Sequence, residues 1–81
     1  MTAMTTKVNL PKSGMGIEEG TVVRWLKRAG ERVEQGEVIV EVETAKAIQE
    51  VEAPASGTLS RILVPEGTAV AVNSTLALIE N

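Results

Sequence analysis

Apolar and polar residues alternate in short runs along this chain of 81 residues. Val40 and Val42 interleave with Glu41 and Glu43, and Val51 stands between Glu50 and Glu52. A period of two marks strands with one buried and one solvated face. The pattern predicts strands near 6–10, 21–26, 37–43, 48–52, 58–63 and 75–80, with short extended pieces around 32–34 and 69–72. Turns are expected at 13–19, 28–31, 34–36, 44–47, 54–57, 65–68 and 73–74, where Gly, Pro, Asn and Ser gather. One stretch competes with this map. Val22, Trp25, Leu26, Ala29 and Val33 have the spacing of an amphipathic helix.

An internal repeat decides the matter. "GTVVRWLKRAGERVEQGEVIVEVE" (20–43) aligns without a gap on "GTLSRILVPEGTAVAVNSTLALIE" (57–80), an offset of 37 residues. Seven positions are identical: Gly20/Gly57, Thr21/Thr58, Arg24/Arg61, Leu26/Leu63, Gly30/Gly67, Val33/Val70 and Glu43/Glu80. Apolar residues face each other at Val22/Leu59, Trp25/Ile62, Ile39/Leu76 and Val42/Ile79. The second copy places Pro65 and Gly67 inside the stretch that reads as helical in the first, and proline breaks a helix interior. Both copies are therefore strands that run into turns. The fold expected is all-β: a flattened barrel or sandwich of two small antiparallel sheets related by a quasi-two-fold axis. The hairpin at 44–47 links the halves and has no counterpart in the second copy.

Composition narrows the chemistry. The chain has no histidine and no cysteine, which excludes disulfides, thiolate or imidazole metal sites, and Ser-His or Cys-His catalysis. Trp25 is the single aromatic residue, and its apolar partner Ile62 makes it a core residue rather than a ligand platform. With a net charge of −3 and no stacking surface, nucleic acid is not an expected partner. No apolar run has membrane-spanning length, so no membrane association is expected. "MTAMTTK" lacks the apolar segment of a secretory signal. Residues 1–5 read as a flexible start, 6–81 as one domain, and the cytoplasm as its location. Gly20, Gly30, Gly36, Gly57 and Gly67 are expected at strand ends with positive φ, and their spacing fits no nucleotide-binding motif.

The most unusual stretch is "ETAKA", Glu43 to Ala47. It forms a tight link between strands without Gly, Asn or Asp, the usual turn formers. Ala45 and Ala47 leave Lys46 sterically open on both sides. A Schiff-base role would need burial or a cationic neighbour, whereas Glu41, Glu43, Glu50 and Glu52 surround it with negative charge. Those glutamates read either as the solvated face of a half-buried hairpin or as an acidic collar for partners, and Glu43 stands out within them. Lys46 itself reads either as an ordinary exposed lysine or as a display site for modification.

Over nearly its whole length, from "LPKSGMGIEEGTVVRW" to "NSTLALIE", the chain resembles a lipoyl domain, the swinging-arm carrier of 2-oxoacid dehydrogenase complexes. The most specific element is "EVETAKAIQEVEAPASG". The resemblance implies lipoic acid in amide linkage to Lys46 and no catalysis by the domain alone. It implies recognition by a lipoate-attaching enzyme through the hairpin residues Glu43, Thr44, Ala45 and Ala47, with Gly30 and Gly57 shaping the fold. Its implied partners are a thiamine-dependent decarboxylase that acylates the arm, an acyltransferase, and a dihydrolipoyl dehydrogenase. "PKSGMGIEEGTV" is similar to acyltransferases of acetoin-type complexes. Ala45 departs from the family, whose members commonly carry aspartate there. Biotin carriers share the fold but flank their lysine with methionines. A biotin carrier and an unmodified binding module remain the alternative readings.

Overall fold

In the computed structural model the described residues are 4–10 and 19–81. They form eight strands: β1 (Thr5–Asn9), β2 (Glu19–Trp25), β3 (Arg32–Val33), β4 (Val38–Glu43), β5 (Ile48–Glu52), β6 (Gly57–Ile62), β7 (Ala69–Ala71) and β8 (Thr75–Glu80). No helix occurs among the described residues, so the stretch with helical spacing is β2, a turn and β3. The strands make two four-stranded antiparallel sheets, ordered β1-β8-β6-β3 and β5-β4-β2-β7. The turn expected at 13–19 lies outside the described residues up to Glu19, which already belongs to β2.

The repeat is a structural symmetry. An offset of 37 carries β2 onto β6, β3 onto β7 and β4 onto β8. Each short strand leaves its own half to complete the other sheet: β3 pairs with β6, and β7 with β2. The exchange is stitched by matching bonds. Gly30 N–H donates to the Leu59 carbonyl and Gly67 N–H to the Val22 carbonyl, each at 2.7 Å. The edge strands obey the same axis with another offset. Val8 of β1 faces Ala77 as Val51 of β5 faces Val40, a correspondence of 43 residues instead of 37. Six more residues thus separate the β1 register from the β2 register than separate β5 from β6.

The core follows the axis too. Val22 and Leu59, Ile39 and Leu76, Val40 and Ala77, and Val42 and Ile79 are all fully buried in equivalent pairs. Trp25, expected in the core, is only half-buried and packs against its rim with Ile62, Val70 and Val72. Both long strands carry a register shift at the same repeat position, between Val22 and Arg24 and between Leu59 and Arg61. Ser60, in the second of these bulges, donates its hydroxyl to the Leu78 carbonyl. Backbone conformation obeys the repeat as well. Gly30 (φ 96°) matches Gly67 (87°), and Gly36 (88°) matches Asn73 (72°), asparagine being among the few side chains that tolerate the left-handed region. Gly20 departs from the expectation of positive φ: what it needs is room, because a Cβ there would stand 2.6 Å from Cγ1 of Val42.

Residues 1–3 of the expected flexible start lie outside the described residues, while Met4 and Thr5 are tied into the sheet. Met4 and Asn81 exchange backbone hydrogen bonds of 3.3 and 3.1 Å. The axis that maps Glu43 onto Glu80 and Ile48 onto Thr5 therefore maps the 44–47 hairpin onto this pair of chain ends.

Candidate functional site

The hairpin is planted in the core by β4 and β5. Val40, Val42 and Val51 point inward and are buried, while Glu43, Glu50 and Glu52 on the alternate positions are exposed. Glu41 is half-buried, opposite Glu50 on one side and Arg24 on the other. The acidic residues thus form the outer face of a half-buried hairpin. At its shoulder Glu43 pairs with Ile48, an aliphatic side chain left 58% exposed.

Thr44 closes the turn. Its N–H donates to the Ala47 carbonyl at 2.9 Å and its hydroxyl donates to the same oxygen at 2.8 Å. The hydroxyl oxygen in turn accepts from Ala47 N–H at 3.3 Å and Lys46 N–H at 3.4 Å. A hydroxyl can donate and accept at once, and side-chain oxygens of this kind imitate a backbone turn. The residues of "ETAKA" are therefore not poor turn formers. Sequence reasoning weighed the absent Gly, Asn and Asp and overlooked threonine, although Ser and Thr are known, weaker members of the same group. With Thr44 half-buried and bonded to both sides of the turn, Ala45 and Lys46 are left as the exposed corner.

The remaining residues singled out from sequence stand elsewhere. Gly30 lies in the turn after β2, where a Cβ would meet nothing within 4 Å. Gly57 opens β6 and lies against Glu80 and Ile79 of β8. Both act on the frame of the barrel and neither is part of the hairpin. Among the described residues no group of three or more His, Cys, Asp and Glu is placed to hold a metal ion. Nor is any helix there long and apolar enough to cross a membrane.

Comparison with known proteins points to a carrier fold of this kind. The family model described as biotin-requiring enzyme, Biotin_lipoyl, matches residues 6–79, and the chain belongs to this biotinyl/lipoyl carrier family. Within it, the likeness is to lipoyl domains. The chain is 36% identical to the lipoyl domain of the 2-oxoglutarate dehydrogenase complex from Azotobacter vinelandii, with a TM-score of 0.72, covering 90% of this chain and 92% of that one. It is 44% identical over 77 residues to the dihydrolipoyllysine-residue acetyltransferase component of the pyruvate dehydrogenase complex of Rickettsia bellii. To the component of the same description in Staphylococcus epidermidis it is 38% identical over 77 residues. These alignments take in 94% and 95% of this chain but 18% of each relative. The domain is accordingly a carrier module of lipoyl type and not a catalytic one.

Proposed function

We propose that Lys46 bears lipoic acid in amide linkage and serves as the swinging arm of a 2-oxoacid or acetoin-type dehydrogenase complex. The observation that carries this reading is the placing of Lys46 at the exposed corner of the β4–β5 hairpin, in a chain similar to a solved lipoyl domain over nine-tenths of its length. The local residues fit the group. A primary amine stands between two alanines, so an acyl chain meets no bulky neighbour on either side. The deprotonated Nζ would attack the carbonyl carbon of an activated lipoyl donor of the acyl-phosphate class. A C–N bond forms as the C–O bond to the phosphate leaving group breaks, and the displaced proton passes to water.

When attached, the dithiolane supplies acyl-accepting and redox chemistry that a chain without cysteine or histidine lacks. The chain's own contribution is mechanical. β4 and β5 plant the turn on the barrel, and the lysine stem carries the reactive end outward into the active sites of successive enzymes. Tethering turns each encounter into an effectively intramolecular one. The partners proposed are a lipoate-attaching enzyme, a thiamine-dependent decarboxylase, an acyltransferase and a dihydrolipoyl dehydrogenase, with the cytoplasm as their shared compartment.

Intact mass after expression with lipoate tests the proposal. One lipoyl increment is expected, absent in Lys46→Arg. A biotin increment would establish the alternative carrier, and an unchanged mass would favour a bare binding module.

A further inference from the structure

We infer that the Thr44 hydroxyl is the positioning group for acylation of Lys46, a role that rests on the attachment proposed above. Three hydrogen bonds within the 44–47 turn use this oxygen: one donated to the Ala47 carbonyl, two accepted from Ala47 and Lys46 N–H. A further bond, Thr44 N–H to the Ala47 carbonyl, runs between main-chain atoms of the turn and does not involve the hydroxyl. The alanines on either side of the lysine, Ala45 and Ala47, carry no polar side-chain atom that could take the place of the hydroxyl. The two amides that the hydroxyl fixes are those of Lys46 itself and of the residue after it. Their peptide planes set the direction in which the lysine stem leaves the turn.

The threonine is a positioning residue: the bonds of its hydroxyl run to main-chain atoms of the turn. Its effect belongs to transfer, where an ångström of misplacement at the attacking atom costs far more rate than stability. The strands beneath the turn are held by the buried Val40, Val42 and Val51 whether or not the hydroxyl is present. Loss of the hydroxyl should therefore leave the barrel folded and the corner loosely defined.

Three proteins test this: the wild-type domain, Thr44→Val, which keeps the shape without the oxygen, and Thr44→Ser, which keeps the oxygen. Lipoyl transfer by a lipoate–protein ligase is followed by intact mass at several domain concentrations, beside thermal melting and amide hydrogen exchange of the unmodified proteins. Thr44→Val is expected to melt within a few degrees of wild type while the Lys46 and Ala47 amides exchange faster. Its kcat/KM should fall by about tenfold or more, chiefly through kcat. Thr44→Ser should recover to within about threefold of wild type. Transfer to Thr44→Val at the wild-type rate overturns the inference, as does failure of Thr44→Ser to recover. So does a Thr44→Val deficit that only tracks a large loss of melting temperature. A wild-type domain that gains no lipoyl group overturns the attachment reading itself, and the positioning role with it.

Discussion

Gly57 packs against Glu80 so closely that a Cβ on it would stand 2.5 Å from the Glu80 carbonyl oxygen. Its repeat mate Gly20 stands in the same relation to Glu43, at 3.2 Å from the carbonyl, with Val42 Cγ1 nearer at 2.6 Å. The two sites differ in what would have to yield. At Gly57 the obstacle is main chain, fixed by the β6–β8 ladder; at Gly20 the nearest atom is the end of a side chain. Gly57→Ala should destabilise by about 3 kcal/mol and Gly20→Ala by about 1–2 kcal/mol, the range for overpacking a closed core. Urea unfolding of both variants gives the order. Equal losses, or a larger loss at Gly20, would show that the β6–β8 main chain moves apart easily.

Acid should loosen one turn before the barrel. Glu34 accepts from Arg32 Nε at 3.2 Å and from the Ser56 hydroxyl at 3.1 Å, and these bonds hold its carboxyl below the ordinary 4.5. Glu37 is held below 4.5 first by the Glu34 N–H that donates to it, then by Lys27, 3.1 Å away. A carboxyl whose folded value is depressed favours folding at full strength above its unfolded value. That contribution is lost as pH falls through the folded value. Glu34 is exposed and Glu37 is open to solvent on one side, so solvent and salt screen the effect. Between neutral pH and the acid side of the carboxylate range, the Gln35 amide, which donates to the Ser56 hydroxyl, should shift in NMR spectra with Glu34. Glu34→Gln with Glu37→Gln should remove that acid-dependent shift. A double variant with unchanged acid dependence would place the titration elsewhere.

Much of this architecture was legible in the sequence because the repeat supplied a second, independent copy of each strand. Pro65 showed that the helical spacing of Val22 to Val33 was accidental, and β2 and β6 are strands. The bulges at Val23 and Ser60 were not legible, since a bulged residue looks like any other in a pattern of period two. The partnership of β1 with β5 was hidden for a different reason. "TTKVN" and "IQEVE" share only the valine, because an edge strand needs one inward anchor and leaves its other positions free. A signal did exist: "LPKSG" at 10–14 matches "APASG" at 53–57 at the offset of 43. The exposure of the Lys46 corner was legible from its flanking alanines, while the Thr44 cap was missed because its four bonds depend on geometry within one turn.

The two sheets are also joined by a hydrogen bond that unfolding should report. Trp25 N–H of the indole donates to the Val64 carbonyl at 2.8 Å, and the Trp25 main-chain N–H donates to the Glu66 carboxylate at 2.9 Å. β2 thereby binds the segment that follows β6 of the opposite sheet. Trp25→Phe keeps an aromatic ring against the core rim but leaves the Val64 oxygen without its indole donor, a loss of about 1 kcal/mol. Urea unfolding of the variant measures it. In the wild-type chain, tryptophan fluorescence and far-ultraviolet circular dichroism should change together. A fluorescence transition at clearly lower urea would mean that the sheets separate at this point before either melts.

The axis makes a stronger demand at the chain ends. Asn81 N–H donates to the Met4 carbonyl just as Thr44 N–H donates to the Ala47 carbonyl, so residues 81 and 4 already stand as the two bases of a hairpin lacking its corner. Ends this close tolerate rejoining. A circular permutant that links Asn81 to Met4 through Asn-Gly, the favoured two-residue hairpin loop, should close without strain. New ends opened between Gln35 and Gly36 would sacrifice the Glu34 and Ser56 bonds on that turn, and leave β4, β5 and the Lys46 corner untouched. The permutant should unfold cooperatively in urea, less stable than the parent by about 1–2 kcal/mol for the lost turn bonds. Its Lys46 should be lipoylated at the parental rate, because the Thr44 cap is intact. An unfolded permutant would show that the quasi-two-fold relates the strands without making the two ends interchangeable. A folded permutant with slowed lipoylation would show that the corner depends on more of the chain than the hairpin and its cap.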